Sequence, residues 1–157
     1  MRFTTEELVT AANLVHEVVP PTQQYAWPLL AHHAGCEVWV KHENHTPTGA
    51  FKVRGGVIYL AGLKKRKPNC KGVIAATTGN HGQSIALAAR ATHFKSTVVV
   101  PKGNNPEKNR AMIAQGTEVI VHGEDFQEAF EYAEGRAREH DLDMVPSFDP
   151  DTSMVKS

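Results

Sequence analysis

Ten residues, TPTGAFKVRG at 46–55, set one lysine among a proline, two glycines, two threonines and a phenylalanine, between a strand-like stretch and a helix-like one. A lysine amine kept partly neutral, by burial beside Phe51 and by the positive end of a helix, is a nucleophile toward a carbonyl. A lysine at a helix start is equally an ordinary solvated charge, and spacing alone does not choose between these roles for Lys52. A second concentrated stretch is AATTGNHGQSIALAA at 75–89, where an apolar run passes into Thr77, Thr78, Gly79, Asn80, His81 and Gly82 and then into an alanine-rich segment. At the carboxyl end of a parallel strand, such a turn presents hydroxyls, a carboxamide and unpaired backbone N–H groups, which suit a carboxylate. Glycine, threonine and asparagine are also routine choices for any strand-to-helix turn.

The elements that must position these residues follow from local patterns. Thr4 and Glu7 stand at capping-box spacing before Leu8, Ala11, Ala12, Val15, Val18 and Val19, which predicts an amphipathic helix over 4–19 ended by Pro20 and Pro21. EVWVK at 37–41 reads as a strand, and a helix is expected from about 53 to 67, stopped by Pro68 and Asn69. VIAAT (73–77), TVVVP (97–101) and EVIV (118–121) are β-branched runs, each followed by a helical segment, so the chain is α/β with a βαβα parallel sheet. Asn105-Pro106 marks one helix start. Asp125 and Glu128 form a possible capping box before Phe126, Ala129, Phe130, Ala133 and Ala137, Gly116 terminates the middle helix, and MVPSF at 144–148 is a last strand.

Bulk composition narrows the partners. The chain of 157 residues is 41% hydrophobic, enough for a real core, and its 17 basic and 17 acidic side chains cancel. With no large single-sign field, neither nucleic acid nor a membrane surface is an expected partner, and a small neutral or zwitterionic ligand is. MRFTTEELVT lacks a secretory pattern and no apolar run is long enough to span a bilayer, so a cytoplasmic location is expected. Cys36 and Cys70, without CxxC spacing, are expected as buried small residues and not as a disulfide. His42 and His45, with His32 and His33 upstream, lack the further ligands a metal site needs. KKRK at 64–67 is expected as a solvated helix end, not a nucleic-acid patch.

VWVKHENHTPTGAFKVRGG, VIAATTGNHGQSIALAAR, VVVPKGN, KNRAMIAQGTEVIVHGEDF and MVPSFD, in this order, resemble the threonine/serine dehydratase family of pyridoxal-phosphate enzymes, with the tryptophan-synthase-β type fold (fold type II), from about Pro20 onward. The resemblance implies pyridoxal 5'-phosphate as cofactor, with Lys52 matching the Schiff-base lysine and Phe51 similar to the aromatic residue near the pyridine ring. Asn80 matches the asparagine that hydrogen-bonds the cofactor's 3-hydroxyl, and Thr77, Thr78, Gly79, Asn80 and His81 resemble the loop that grips the substrate carboxylate. Thr78 takes the place of the serine that donates a proton on the second face. Where the family commonly has serine or alanine, Thr77 and Thr78 each add a methyl group beside the substrate.

The implied reaction converts L-threonine or L-serine to a 2-oxo acid and ammonia, with Lys52 removing the α-proton. A serine racemase or a 3-hydroxyaspartate dehydratase of the same fold is the alternative. So is a catalytically silent fragment or interaction module, because only Gly55 and Gly56 are adjacent glycines and the phosphate-binding loop is absent from the chain. In domain terms, residues 1–53 would be the incomplete N-terminal part of the large cofactor-binding domain. Residues 54–143 would be an inserted small α/β domain, and 144–157 a truncated return into the large one. The apolar faces of 4–19 and 37–41 would then lack partners, and the full-length form is expected to be a homo-oligomer, a dimer.

Overall fold

The computed structural model describes residues 3–147. The chain opens on α1 (Thr5–His16), whose start is set by the capping box: Thr4 Oγ1 accepts from the Glu7 N–H at 3.2 Å, and Glu7 Oε2 accepts from the Thr4 N–H at 2.8 Å. Such a cap stabilises by about 1 kcal/mol. Only the far end of the helix reaches the core. Val15 and Val19 are buried, while Leu8, expected on the same apolar face, is 46% exposed. The helix stops short of the expected residue 19 because the N–H groups of Val18 and Val19 both turn back to the Val15 carbonyl ahead of the prolines.

β1 (Gln24–Ala26) and β2 (Trp39–Lys41) form an antiparallel pair with Gln24 opposite Lys41, and α2 (Pro28–Ala34) lies between them. The strand expected over 37–41 is shortened to Trp39–Lys41, because its partner ends where Trp27 caps α2. α3 (Lys52–Arg66) follows, burying Val53, Val57, Leu60 and Leu63 at helical intervals.

β3 (Val73–Ala76), α4 (Asn80–Thr92), β4 (Ser96–Val100), α5 (Pro106–Ala114), β5 (Glu118–Val121), α6 (Phe126–His140) and β6 (Asp143–Met144) complete the alternation. The resulting sheet has the order β5-β4-β3-β6 with every pair parallel, Val73 lying opposite both Ser96 and Asp143, and Val98 opposite Val119. Its central strands are buried on both faces, as parallel strands between helices must be. Ile74, Ala76 and Val99 face Ala129, Ala133 and Ala137 of α6, whereas Val73 and Ala75 face α3 and α4. Ala86, Ala88 and Ala89 are fully buried and let α4 lie close to its neighbours. The fold is α/β, as the strand runs predicted.

Several local expectations need correction. The Asp125 carboxylate accepts from the Glu128 N–H, but Glu128 Oε2 accepts from the Glu124 N–H and not from Asp125, because the turn at Gly123 (φ 80°) brings Glu124 within its reach. The last strand covers Asp143–Met144 only, and Phe148 of the expected MVPSF lies outside the described residues. Cys36 is exposed, and Cys70 is half-buried at the edge of the core, its Sγ donating to the Gly72 carbonyl at 3.2 Å. Lys67 is not merely a solvated end: it pairs with Asp143 at 2.6 Å, and Tyr59 Oη donates to the same carboxylate at 3.0 Å, tying α3 to β6. His42 rests among Tyr25, Trp27 and a stacked His45, and the described residues contain no cluster fit for a metal. No helix among them is long and apolar enough to cross a membrane.

Candidate active site

Lys52 is the first residue of α3, and the loop before it is closed by its own side chains. Thr46 Oγ1 donates to the Ala50 carbonyl at 2.9 Å and accepts from the Ala50 N–H at 3.0 Å, while Gly49 turns with φ 66°. Behind the loop, the largely buried Arg54 grips Glu43, Nε to Oε2 at 2.7 Å, and Thr22 donates to the same carboxylate at 2.5 Å. Burial works to raise the Glu43 pKa, yet the hydrogen bonds from Arg54 and Thr22 and the charges of Arg54 and Lys41 outweigh it, so the group sits below its ordinary value of 4.5. The Lys52 side chain is half-buried, and its Nζ donates to the Ser147 carbonyl at 3.2 Å. Phe51 just before it is 45% exposed, so its ring is an open face and does not bury the amine as the sequence suggested.

The second half of the site grows from the end of β3. The Thr77 N–H extends the ladder to the Val99 carbonyl at 3.0 Å, and Thr77 Oγ1 then accepts from the Gly79 N–H at 3.1 Å, which shapes the turn. No side chain caps α4 at Gly79. The Gly82 N–H turns back to the Gly79 carbonyl at 3.1 Å, and this end of the helix carries its positive dipole. Thr78 and Asn80 are exposed at this end. His81 is half-buried and turned toward β6, its Nε2 lying 3.3 Å from the Val145 carbonyl.

The methyl group of Thr77 is packed inside, the residue being buried. A Cβ on Gly82 would meet Thr77 Cγ2 at 2.6 Å and Met112 Sδ at 2.4 Å, so the methyl fills the slot over that glycine. Thr78, by contrast, remains open to solvent.

Two residues in this region were not anticipated from the sequence. Ser84, one turn along α4 from Asn80, donates from Oγ to the Lys52 carbonyl at 2.7 Å. The Lys108 ammonium lies over Gly79, where a Cβ would come within 3.0 Å of its Nζ, and that side chain has no hydrogen bond or ion pair to the described residues. Neither had a signal in local spacing, because each contact crosses from one helix to another. Between Lys52, Gly56, His81 and Ser84 there remains a cavity of about 10 Å³, room for about one water. Two larger hollows lie away from these groups: about 580 Å³ between α1 and α3, and about 310 Å³ beside Lys67 and Asp143.

The donor set fits one side of a pyridoxal group. It offers a primary amine for the aldehyde carbon at Lys52, an exposed aromatic ring at Phe51 and an exposed carboxamide at Asn80, just past the carboxyl end of β3. Among the described residues the strand ends carry isolated glycines, Gly79, Gly103 and Gly123, and no glycine succession of the kind that cradles a phosphate.

Comparison with known proteins places the chain in a family. A family model described as pyridoxal-phosphate dependent enzyme matches residues 15–156. Biosynthetic L-threonine dehydratase of Haemophilus influenzae is 31% identical over 142 residues, which cover 90% of this chain and 28% of that protein. The L-threo-3-hydroxyaspartate ammonia-lyase of Saccharomyces cerevisiae is 31% identical over 143 residues, covering 91% and 44% respectively. The crystal structure of a pyridoxal 5'-phosphate-dependent aspartate racemase superposes with a TM-score of 0.90 at 28% sequence identity, over 99% of this chain and 49% of that one. The chain thus spans less than half the length of these relatives. With the matched model running through both the Lys52 and the Asn80 stretches, the chain belongs to the family of pyridoxal-phosphate dependent enzymes.

Proposed function

We propose that this chain serves an ammonia-lyase that converts L-threonine or L-serine to a 2-oxo acid and ammonia. The observation that carries the reading is that Lys52 opens α3 and Asn80 opens α4, two helices in contact, with the Lys52 carbonyl held at 2.7 Å by Ser84, one turn past Asn80. When bound, pyridoxal phosphate supplies the electron sink that acidifies the α-carbon of the amino acid. Lys52 would anchor it through the aldehyde carbon, Phe51 would cover one ring face, and Asn80 would hydrogen-bond the phenolic oxygen. The phosphate grip and the partner of the ring nitrogen would come from outside this chain. Residues 1–53 and 144–157 would belong to the larger, cofactor-holding domain and 54–143 to a smaller one, within a homodimer.

In this reading the Thr77–His81 turn and the positive dipole end of α4 bind the substrate carboxylate, Lys52 Nζ takes the α-proton, and the Thr78 hydroxyl stands as proton donor to the departing β-hydroxyl. The β-hydroxyl leaves as water, one water returns on hydrolysis, and ammonia is the net product beside the 2-oxo acid. Release of 2-oxo acid by the full-length enzyme tests this directly. Lys52→Ala is expected to lower turnover by at least about 10³-fold, and a variant that turns over like wild type would overturn the assignment.

A second reading has its own observation. The Lys108 ammonium beside Gly79 offers a charge partner for a further carboxylate, as a 3-hydroxyaspartate or aspartate side chain would carry. The similarity to a hydroxyaspartate ammonia-lyase and to an aspartate racemase is in keeping with it. Parallel assays for 2-oxo acid and for D-amino acid with threonine, serine and 3-hydroxyaspartate separate lyase from racemase and one substrate class from the other.

A further inference from the structure

We propose that Ser84 is a positioning residue for Lys52 and that Gly56 is the space that admits it; the inference rests on the reading of Lys52 as the reacting lysine. Ser84 is 1% exposed, and its Oγ donates to the Lys52 carbonyl at 2.7 Å. A serine inside a helix ordinarily satisfies its hydroxyl on the carbonyl four residues back in the same helix. This one reaches across to the first residue of α3 instead.

The exchange of space is close. A Cβ on Gly56 would lie 2.3 Å from Ser84 Oγ and 3.0 Å from the Ser84 carbonyl oxygen, so no side chain is tolerated there while the serine keeps its place. Stability alone does not call for this arrangement: an alanine at 84 would pack the same crossing without the cost of burying a hydroxyl. What the hydroxyl adds is direction. Asn80 and Ser84 lie four residues apart on one face of α4, so a single rigid helix carries the Thr77–His81 turn at one end and, one turn later, a bond to the residue that bears the amine. The tie sets where Lys52 Nζ stands relative to the turn that binds the carboxylate, and displacement of about 1 Å between such groups costs up to about 10²-fold in rate.

The test separates hydroxyl from packing in the full-length enzyme. Three variants are compared: Ser84→Ala, Gly56→Ala, and the double Gly56→Ala/Ser84→Gly, which takes the hydroxyl out of the path of the new methyl and leaves only the backbone contact. Thermal midpoint, kcat and KM are measured. So is the pH profile of Lys52 acetylation by acetic anhydride after cofactor removal, read by mass spectrometry with the exposed Lys65 as internal reference.

Ser84→Ala is expected to lower kcat about tenfold with KM changed less than about twofold, and to alter the Lys52 profile but not that of Lys65. Gly56→Ala is expected to lower the thermal midpoint, and the double variant to recover part of the midpoint but not kcat. Wild-type kcat and a wild-type Lys52 profile in either Ser84→Ala or the double variant would reduce Ser84 to a packing residue and overturn the proposal. Failure of the functional reading looks different. Lys52→Ala would then remain active, while the acetylation profile, which needs no turnover, still reports whether the tie acts on the amine.

Discussion

The methyl group of Thr77 and the bare Cα of Gly82 occupy one slot: a Cβ on Gly82 would fall 2.6 Å from Thr77 Cγ2, with Met112 Sδ at 2.4 Å and Val98 Cγ1 at 3.3 Å closing the other sides. β3 and α4 can meet this closely only because one partner gives up the volume that the other takes.

Gly82→Ala therefore overfills the slot and is expected to destabilise by about 1–3 kcal/mol. Thr77→Ser removes the methyl while keeping the hydroxyl that accepts from Gly79. Combined with Gly82→Ala it should recover most of the loss, with the flexible Met112 thioether yielding the remainder. Denaturant unfolding of the two singles and the double checks this, and simple additivity would argue against a shared slot.

The Lys108 ammonium and the dipole end of α4 are like charges brought together at Gly79, an arrangement that an anion relieves. Lys108→Ala is expected to raise KM for an amino-acid substrate about tenfold and to change kcat little, with a larger effect on a dicarboxylic substrate than on threonine. Steady-state kinetics on both substrate types measures it. A fall in kcat at unchanged KM would place the lysine elsewhere in the cycle.

Glu43 links the pH response of the fold to the loop that delivers Lys52. Its folded pKa lies below the ordinary 4.5, so its pairing with Arg54 and Thr22 contributes stability that is fully present above that value and is lost as pH falls through the folded value. Thermal midpoints of wild type should therefore drop on acidification below about pH 4.5. Glu43→Gln should show a lower midpoint at neutral pH and a flatter acid limb, because the titrating carboxylate is gone. An acid limb as steep as that of wild type would assign the response to other carboxylates.

Much of the architecture was legible in local patterns. EVIV at 118–121 is β5 to the residue, Asn105 caps α5 through its side chain, and Thr4 with Glu7 closes the box before α1. β1 escaped because three residues joined to a distant partner carry no periodicity of their own. The full amphipathic length expected of 4–19 was not realised because only its far end, Val15, Val18 and Val19, meets a core that other elements supply.

At the site the division is sharper. The identities at Lys52 and across Thr77 to His81 could be read as chemistry because each lies at a junction whose character, strand then turn then helix, is written in adjacent residues. Where the Thr77 methyl points, which carbonyl the Ser84 hydroxyl takes, and what stands over Gly79 were decided only when α3, α4 and α5 packed together. Local sequence determines hydrogen bonds and torsions within a few residues. The distances between groups carried on different helices are set by how closely whole helices can approach, and that depends on pairs such as Gly56 with Ser84 and Gly82 with Thr77.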